Sequence, residues 1–136
     1  MKDPDSGWVN YGTYRVQSHD PKTASVMMSP GKHGLIIMRK YHERGQKCPV
    51  AVVAGMHPSM VMLGGIEIPY GKNELEAAGG ILGEAVEVIN MPKTGLPVPA
   101  NCEIAFEGFI GPDDKIKEGP LGEWTGYYAS GSDLEP

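Results

Sequence analysis

Pro49-Val-Ala-Val-Val-Ala-Gly55 is a continuous apolar run, rich in β-branched valine, that ends at a glycine. A run of this kind is typical of a buried strand. Further along the chain, Ala85–Asn90 and Cys102–Ile110 alternate apolar and polar residues, which is the pattern of half-exposed strands. These segments predict that β-strands carry much of the fold.

The N-terminal part of the chain has the pattern of a β-hairpin. Val9–His19 reads as one strand, with Arg15 and Gln17 on the same face, and Thr23–Ser29 reads as a second. The turn residues Asp20-Pro21-Lys22 separate the two segments, so we predict that the strands pair with each other.

Helical patterns are fewer and shorter. Gly34–Arg44 has apolar residues at helical spacing, and Ser59–Leu63 is long enough for a short helix. Asn73 is a plausible N-cap for a third helix that runs through Leu82, with Glu76 as its capping-box partner. Because strands outnumber helices and turns connect most of them, we predict an α+β fold with a largely antiparallel sheet or barrel.

Composition narrows the classes of function. The 136 residues, 40% of them hydrophobic, are enough for one domain with its own core, and the net charge of −5 argues against nucleic acid as a partner. The chain shows neither an apolar run long enough to cross a membrane nor a signal-peptide core. Cys48 and Cys102 stand alone, as is typical of a reducing compartment, so we expect a cytoplasmic protein.

The stretch Glu118-Gly-Pro-Leu-Gly-Glu-Trp-Thr-Gly-Tyr-Tyr128 carries the most chemical information. It places Glu118 and Glu123 around a turn-forming Gly119-Pro120. Two carboxylates that share one site cannot ionise independently, which suits them to proton transfer. On spacing alone, an acidic surface turn explains the pair equally well.

Several common signatures are absent from the sequence. The glycine pairs at 64–65 and 79–80 lack the context of a nucleotide-binding loop, and the four histidines form no HExxH or HxH pair. Taken singly, His19, His33, His42 and His57 are each better explained as surface or packing residues than as ligands.

Six ordered blocks, spread over nearly the whole chain, together resemble the UbiD-type decarboxylases, which use prenylated FMN. These blocks are Asn10–Arg15, Ser29–His33, Pro49–Gly55, Glu74–Gly79, Val98–Gly108 and Glu118–Tyr128. The resemblance implies that residues 1–136 are the family's central domain, a flavin-binding split β-barrel with short flanking helices. The family's N- and C-terminal domains are absent from this sequence, so the resemblance implies an incomplete barrel. The chain then corresponds to a truncated reading frame, an excised domain or one subunit of a split enzyme.

The resemblance also assigns catalytic roles. Arg15, Glu118 and Glu123 match the family's Glu–Arg–Glu network, with Glu123 at the position of the proton donor. Glu118 and Arg15 match the residues that hold and tune that donor. The implied reaction is the reversible, non-oxidative decarboxylation of an aromatic or α,β-unsaturated carboxylic acid. Trp124 follows the donor, where it could form the floor of a substrate pocket.

The cofactor site follows from the same resemblance. Asn10, His33 and Glu74 match the family's site for Mn²⁺ or Mg²⁺, which binds the flavin phosphate. Carbonyl oxygens near Tyr11, Gly64 and Gly65 are implied to hold K⁺. The residues implied to contact the flavin are Asn10, Thr13, Tyr14, Arg15, His33, Gly65 and Ile66.

Partners and alternatives are also expectations. The resemblance implies a small carboxylic acid substrate, a flavin prenyltransferase that supplies the cofactor, and a homo-oligomer or complementing subunit. One alternative is a module that binds the flavin phosphate and metal without independent turnover, and another is a non-catalytic scaffold fragment. The complete Arg15, Glu118 and Glu123 set favours the decarboxylase.

Overall fold

The computed structural model describes residues 1–66, 68–123 and 125–129. These residues combine three short helices with β-strands that pair in an antiparallel sense, which confirms the predicted α+β class. The elements, in chain order, are β1 (Val16–Asp20), β2 (Thr23–Val26), α1 (His33–His42), β3 (Cys48–Ala54), α2 (Pro58–Gly65), α3 (Glu74–Leu82), β4 (Val88–Asn90), β5 (Pro97–Pro99), β6 (Ile104–Ile110), β7 (Leu121–Gly122) and β8 (Tyr128–Ala129).

Within the described residues, the strands form four two-stranded sheets, β1–β2, β3–β6, β4–β5 and β7–β8, and these sheets do not join into a closed barrel. The predicted N-terminal hairpin is confirmed, with Gln17 opposite Ser25 in the β1–β2 register. The sequence patterns did not indicate β5, β7 or β8, because strands of two or three residues are too short to show a period.

The longest pairing joins β3 to β6 over seven residue pairs, from Cys48 opposite Ile110 to Ala54 opposite Ile104. The sequence predicted a buried β3, but only Cys48 is fully buried and the five residues after it are half-buried. The reason is topological, because in the described part of the chain β3 pairs with β6 alone, and part of β3 borders a cavity. The main core lies between this sheet and α1, where Ile37, Met38 and Cys48 are buried together.

The ends of the helices follow local sequence signals. The Asn73 side chain accepts a hydrogen bond from the Leu75 amide at 2.9 Å, which confirms the predicted N-cap of α3. After α1, the chain reverses at Gly45 with a φ of 65°, a left-handed conformation that favours glycine. The polypeptide described by the structure includes no helix that is both long enough and apolar enough to cross a membrane.

The first strand differs from its prediction. The sequence predicted a strand from Val9, but β1 begins at Val16. Residues before it are held in irregular backbone by distant partners, since the Tyr11 amide bonds the Glu74 carboxylate at 3.1 Å and the Thr13 amide bonds the Gly64 carbonyl at 2.9 Å. These contacts replace a strand ladder and bring residues 10–14 against α2 and α3.

Candidate functional site

Arg15 lies between two carboxylates. Both its Nε atom, at 3.1 Å, and its Nη2 atom donate to Oε2 of Glu118, and its Nη1 atom lies 4.0 Å from Oε1 of Glu123. Glu118 and Glu123 are therefore brought to opposite ends of one guanidinium, although 103 residues separate Arg15 from Glu118. A guanidinium has fixed donors and a permanent charge, so it can hold two acids at once.

The two acids occupy different environments. The Glu118 side chain is fully buried, whereas the Glu123 side chain is 41% exposed and that of Arg15 is 29% exposed. A buried carboxylate needs its paired cation, because desolvation otherwise disfavours its charged form. Glu123 can exchange protons with solvent or with a bound molecule, while Glu118 is enclosed and fixed by Arg15.

Alternation along β1 explains how these groups meet. Arg15 directly precedes β1, and its carbonyl accepts a hydrogen bond from the Met27 amide at 3.0 Å, so the alternation of the strand extends to it. Successive side chains point to opposite faces, which places Arg15, Gln17 and His19 on one face. The Gln17 Oε1 atom accepts a hydrogen bond from the Gly119 amide at 3.0 Å, which ties the segment after Glu118 to the same face. Glu123 follows β7 and its amide bonds the Tyr127 carbonyl at 2.8 Å, within the short β7–β8 hairpin.

Asn10 and Glu74 form a second buried polar pair. The Asn10 Nδ2 atom donates to Glu74 Oε1 at 2.8 Å, and the two residues are 5% and 3% exposed. Across the described part of the chain, no cationic nitrogen lies within 4.0 Å of the Glu74 carboxylate. Burial raises the pKa of the neighbouring Tyr11 hydroxyl well above its ordinary value, and the Glu74 charge raises it further.

His33, the third predicted metal ligand, begins α1. Its ring packs edge-on against Trp8 and Tyr70, with ring centroids 5.3 Å and 5.5 Å away. Trp8 is anchored by a 2.9 Å hydrogen bond from its indole nitrogen to the Lys72 carbonyl, and Tyr70 donates to Asp3 at 2.8 Å. The described residues contain no cluster of three His, Cys, Asp or Glu side chains able to share a metal. The predicted set has two side chains of these types, His33 and Glu74, and therefore depends on the Asn10 amide for its third ligand.

A cavity of about 260 Å³ lies between residues 10–14, strand β3 and helix α2. Its lining includes Asn10, Thr13 and Tyr14 from the predicted flavin contacts, together with Gly64. The Tyr14 hydroxyl accepts a hydrogen bond from the Gly34 amide at 3.1 Å, which fixes the ring beside the start of α1. Burial raises the pKa of this hydroxyl above its ordinary value.

Two further predicted flavin contacts, Gly65 and Ile66, lie at the end of α2. Ile66 is 56% exposed, and a side chain built on Gly65 would meet no atom within 4 Å among the described residues. At Gly64, by contrast, an added Cβ would lie 3.0 Å from Oγ1 of Thr13 and 3.2 Å from its amide nitrogen. A side chain at position 64 would therefore crowd Thr13, whereas position 65 leaves open space.

Ser25 and His19 are polar residues of this region that the sequence did not indicate. Ser25 is fully buried and donates to Glu118 Oε1 at 3.2 Å, and His19 Nε2 lies 3.0 Å from the Ser25 hydroxyl. His19 was predicted to be a surface or packing residue. Its position two residues after Gln17 on the Arg15 face was the available signal. Trp124, the predicted pocket floor, lies outside the described residues.

A family model described as the UbiD 3-octaprenyl-4-hydroxybenzoate carboxy-lyase Rift-related domain matches residues 1–136. Ferulic acid decarboxylase 1 of Candida dubliniensis is 33% identical over 129 residues, which cover 93% of this chain and 25% of the relative. The chain spans about a quarter of the length of the curated relatives it matches.

Solved structures of UbiD-class enzymes also match this chain. The UbiD-class enzyme HmfF from Pelotomaculum thermopropionicum, in complex with FMN, superimposes with a TM-score of 0.90 at 30% identity, covering 98% of this chain and 31% of that one. An evolved dimeric form of the same enzyme, in complex with prFMN, gives a TM-score of 0.90 at 30% identity over 98% of this chain and 32% of that one.

Proposed function

The chain belongs to the UbiD family, and on that premise we propose that it is the flavin-binding central domain of a decarboxylase that uses prenylated FMN. The substrate class is an aromatic or α,β-unsaturated carboxylic acid. The relatives support this assignment by their names, since one is a ferulic acid decarboxylase and another a pyrrole-2-carboxylic acid decarboxylase.

The arrangement of Arg15 between Glu118 and Glu123 is the observation that carries the proposal. A surface ion pair would leave both acids exposed, but here one acid is fully buried and the other is 41% exposed. Such an unequal pair suits a site in which one carboxyl group moves a proton and the other stays charged.

Each residue then has a distinct task. Glu123 holds the proton that is delivered to the product carbon after CO₂ leaves, because it is the acid with access to a bound molecule. Arg15 holds Glu123 near that carbon, and Glu118 keeps the guanidinium in place from its buried side. Prenylated FMN, when bound, would accept the electron pair that the departing CO₂ leaves behind.

The Asn10–Glu74 pair supports the proposal of a site for a hard divalent cation. Glu74 is a buried carboxylate that has no cationic nitrogen within 4.0 Å in the part of the chain described, and its two oxygens retain unused lone pairs. Asn10 directs its amide nitrogen to Glu74, so its amide oxygen remains available. With the His33 imidazole, these groups would hold Mn²⁺ or Mg²⁺ beside a flavin phosphate, and carbonyls near Tyr11, Gly64 and Gly65 would hold K⁺.

The cavity beside these groups fits part of a flavin. Its volume of about 260 Å³ lies just below the ~300–1,000 Å³ of small-molecule pockets, so it can take part of a flavin but not the whole cofactor. Further segments or a second subunit would complete the pocket, and a flavin prenyltransferase would supply the cofactor. In this proposal, Thr13, Tyr14, Gly65 and Ile66 line the flavin.

The decisive experiment compares the wild type with Glu123→Gln after co-expression with a flavin prenyltransferase. We expect both proteins to retain the flavin absorbance and bound Mn, because Glu123 lies outside the Asn10–Glu74 pair. We expect CO₂ release, or H/D exchange of a product panel, to fall at least about 100-fold in the variant.

Three outcomes would contradict the proposal. Equal activity of the two proteins would remove Glu123 from the donor role. Flavin retention without turnover by the wild type, assayed with its neighbouring gene products, would leave a module that binds the flavin and metal without catalysis. Failure of the wild type to retain flavin would reject both functions.

A further inference from the structure

Ser25 lies between a histidine and the buried acid of the catalytic network. Its hydroxyl is 3.2 Å from Glu118 Oε1 and 3.0 Å from His19 Nε2, and the residue is fully buried. Arg15 occupies the other carboxylate oxygen, Oε2. The two oxygens of Glu118 are therefore held by different residues, Oε2 by Arg15, directly before β1, and Oε1 by Ser25 in β2.

Donor and acceptor counting fixes the direction of this chain of hydrogen bonds. An ionised carboxylate can only accept, so the single proton of the Ser25 hydroxyl must point to Glu118. The Ser25 oxygen can then only accept from His19, which requires a proton on the Nε2 atom of the imidazole. Each polar atom of Ser25 thus has a partner, as burial demands.

We propose that Ser25 and His19 are positioning residues, which hold Glu118 in the orientation that lets Oε2 pair with Arg15. The inference rests on the proposed function, because its purpose is to fix the guanidinium that holds Glu123. A carboxylate bound only by Arg15 could rotate, and the Arg15–Glu123 distance would then vary.

The chain of hydrogen bonds does not deliver protons to Glu123. Arg15 separates Glu118 from Glu123, and a guanidinium stays protonated in proteins. The charged groups around His19 are Glu118 and Arg15, reached through Ser25, and the adjacent exposed Asp20. A positive charge on His19 would therefore act on Glu118 only through Ser25, and it would not change the protonation of the proposed donor, Glu123.

The first test needs neither flavin nor turnover. The full chain is labelled with ¹⁵N-histidine, and the Nε2–H proton of His19 is observed by NMR above the titration range of the imidazole. We expect a hydrogen-bonded, slowly exchanging Nε2–H signal in the wild type and its loss in Ser25→Ala. Ser18→Ala is the matched control, because Ser18 is an exposed serine of β1, the strand that carries His19, and its hydroxyl bonds only locally.

A wild-type His19 with its proton on Nδ1, or an Nε2–H signal that survives Ser25→Ala, would overturn the proposal. His19→Gln and His19→Leu provide a second pair of variants that leaves the buried Ser25 intact. A glutamine amide can donate from about the position of Nε2, whereas leucine cannot donate.

The second test measures turnover of the flavin-loaded protein. We expect kcat to fall by up to about tenfold in His19→Leu, the effect of losing one buried hydrogen bond, with KM nearly constant. His19→Gln should restore most of the loss. Equal rates in the two variants would reject a positioning role, since a packing role does not require the donor.

Failure of this inference is distinguishable from failure of the proposed function. An active wild type whose His19 signal ignores Ser25 rejects the positioning residues alone. A wild type that binds flavin without turnover rejects the reaction, and the positioning role is rejected with it.

Discussion

At Arg15, one side chain serves a buried acid and an exposed acid. Replacing it by methionine would leave the Glu118 charge buried without its paired guanidinium, which we expect to lower the free energy of unfolding by about 3 kcal/mol. Urea denaturation measures this loss. Adding Glu118→Gln to Arg15→Met should recover part of it, because the second substitution removes the buried charge.

Arg44→Met is the matched control for this prediction. Arg44 pairs with Asp5, but both side chains are more than 40% exposed, so solvent screens their attraction. We expect little change in its urea midpoint. An equal loss in Arg15→Met and Arg44→Met would show that the Glu118 pair has no special requirement for its cation.

The residues of the network could be predicted unequally. Arg15, Glu118 and Glu123 belong to a pattern that the sequence displays, and the structure brings them together. Ser25 could not be identified in the same way, because its partner Glu118 lies 93 residues further along the chain and only the fold brings the two together. A serine in a short strand gives no sign of its tertiary partner.

Among the elements, the N-terminal segment is attached to α1 by charge. Asp3 is 1% exposed and accepts from Lys40, at 2.5 Å, and from Tyr70. Burial alone would raise the pKa of Asp3, but the hydrogen bonds from Lys40, the Asp5 amide and Tyr70 hold it well below its ordinary value. The hydrogen bonds that Lys40 donates to Asp3 and to Tyr70 raise the pKa of Lys40 above its ordinary value.

These directions define a pH window. Because the pKa of Asp3 is lower in the folded protein than its unfolded value of 3.8, the ionised side chain stabilises the fold at pH values above 3.8. This contribution is lost as the pH falls through the lowered pKa. The raised pKa of Lys40 stabilises the fold below its unfolded value of 10.5, and this contribution is lost at higher pH. We therefore expect Asp3→Asn to flatten the fall in Tm between about pH 5 and pH 2.

Thermal unfolding at several pH values checks this expectation. Asp113→Asn is a suitable control, because Asp113 is exposed on a loop. An acid limb that is as steep in Asp3→Asn as in the wild type would assign the acid sensitivity to other carboxylates.

Two neighbouring glycines at the end of α2 allow a paired substitution. An added Cβ at Gly64 would press on Thr13, whereas one at Gly65 would meet nothing within 4 Å in the described structure. Both alanines gain similar helix propensity, so we expect Gly64→Ala to be less stable than Gly65→Ala by about 1–2 kcal/mol in urea.

Flavin retention, unlike stability, should be sensitive to a side chain at position 65. If the cofactor occupies the open space there, Gly65→Ala will release flavin more readily than the wild type while keeping its stability. Unchanged flavin retention in Gly65→Ala would remove this residue from the proposed contact set.

The start of β1 shows which part of an element the sequence cannot specify. Residues 9–14 have strand-like composition, yet the bonds of Tyr11 to Glu74 and of Thr13 to Gly64 hold them out of the ladder. The hairpin itself was predictable, because its turn and its two strands are adjacent in the chain. Local signals set the elements, while distant polar partners set their ends.

The molecule as a whole exposes much apolar surface. Ile104 and Phe106 lie on one face of β6 and are 51% and 63% exposed, and the Tyr127 and Tyr128 rings are at least 75% exposed. Exposed apolar strand faces and short unjoined sheets favour association. In the proposed decarboxylase, further segments or a second subunit would cover this surface.

We expect the 136-residue chain, produced alone, to self-associate at concentrations on the order of 10 μM, as measured by analytical ultracentrifugation. Serine at both 104 and 106 should shift the chain toward monomer, because the two substitutions remove the exposed apolar side chains from this face of β6. Ile81→Ser is the control, since Ile81 is 67% exposed on α3. A comparable shift with Ile81→Ser would mean that association follows total exposed apolar area. A shift confined to the β6 variant would identify the β6 face as the surface through which copies of this chain associate.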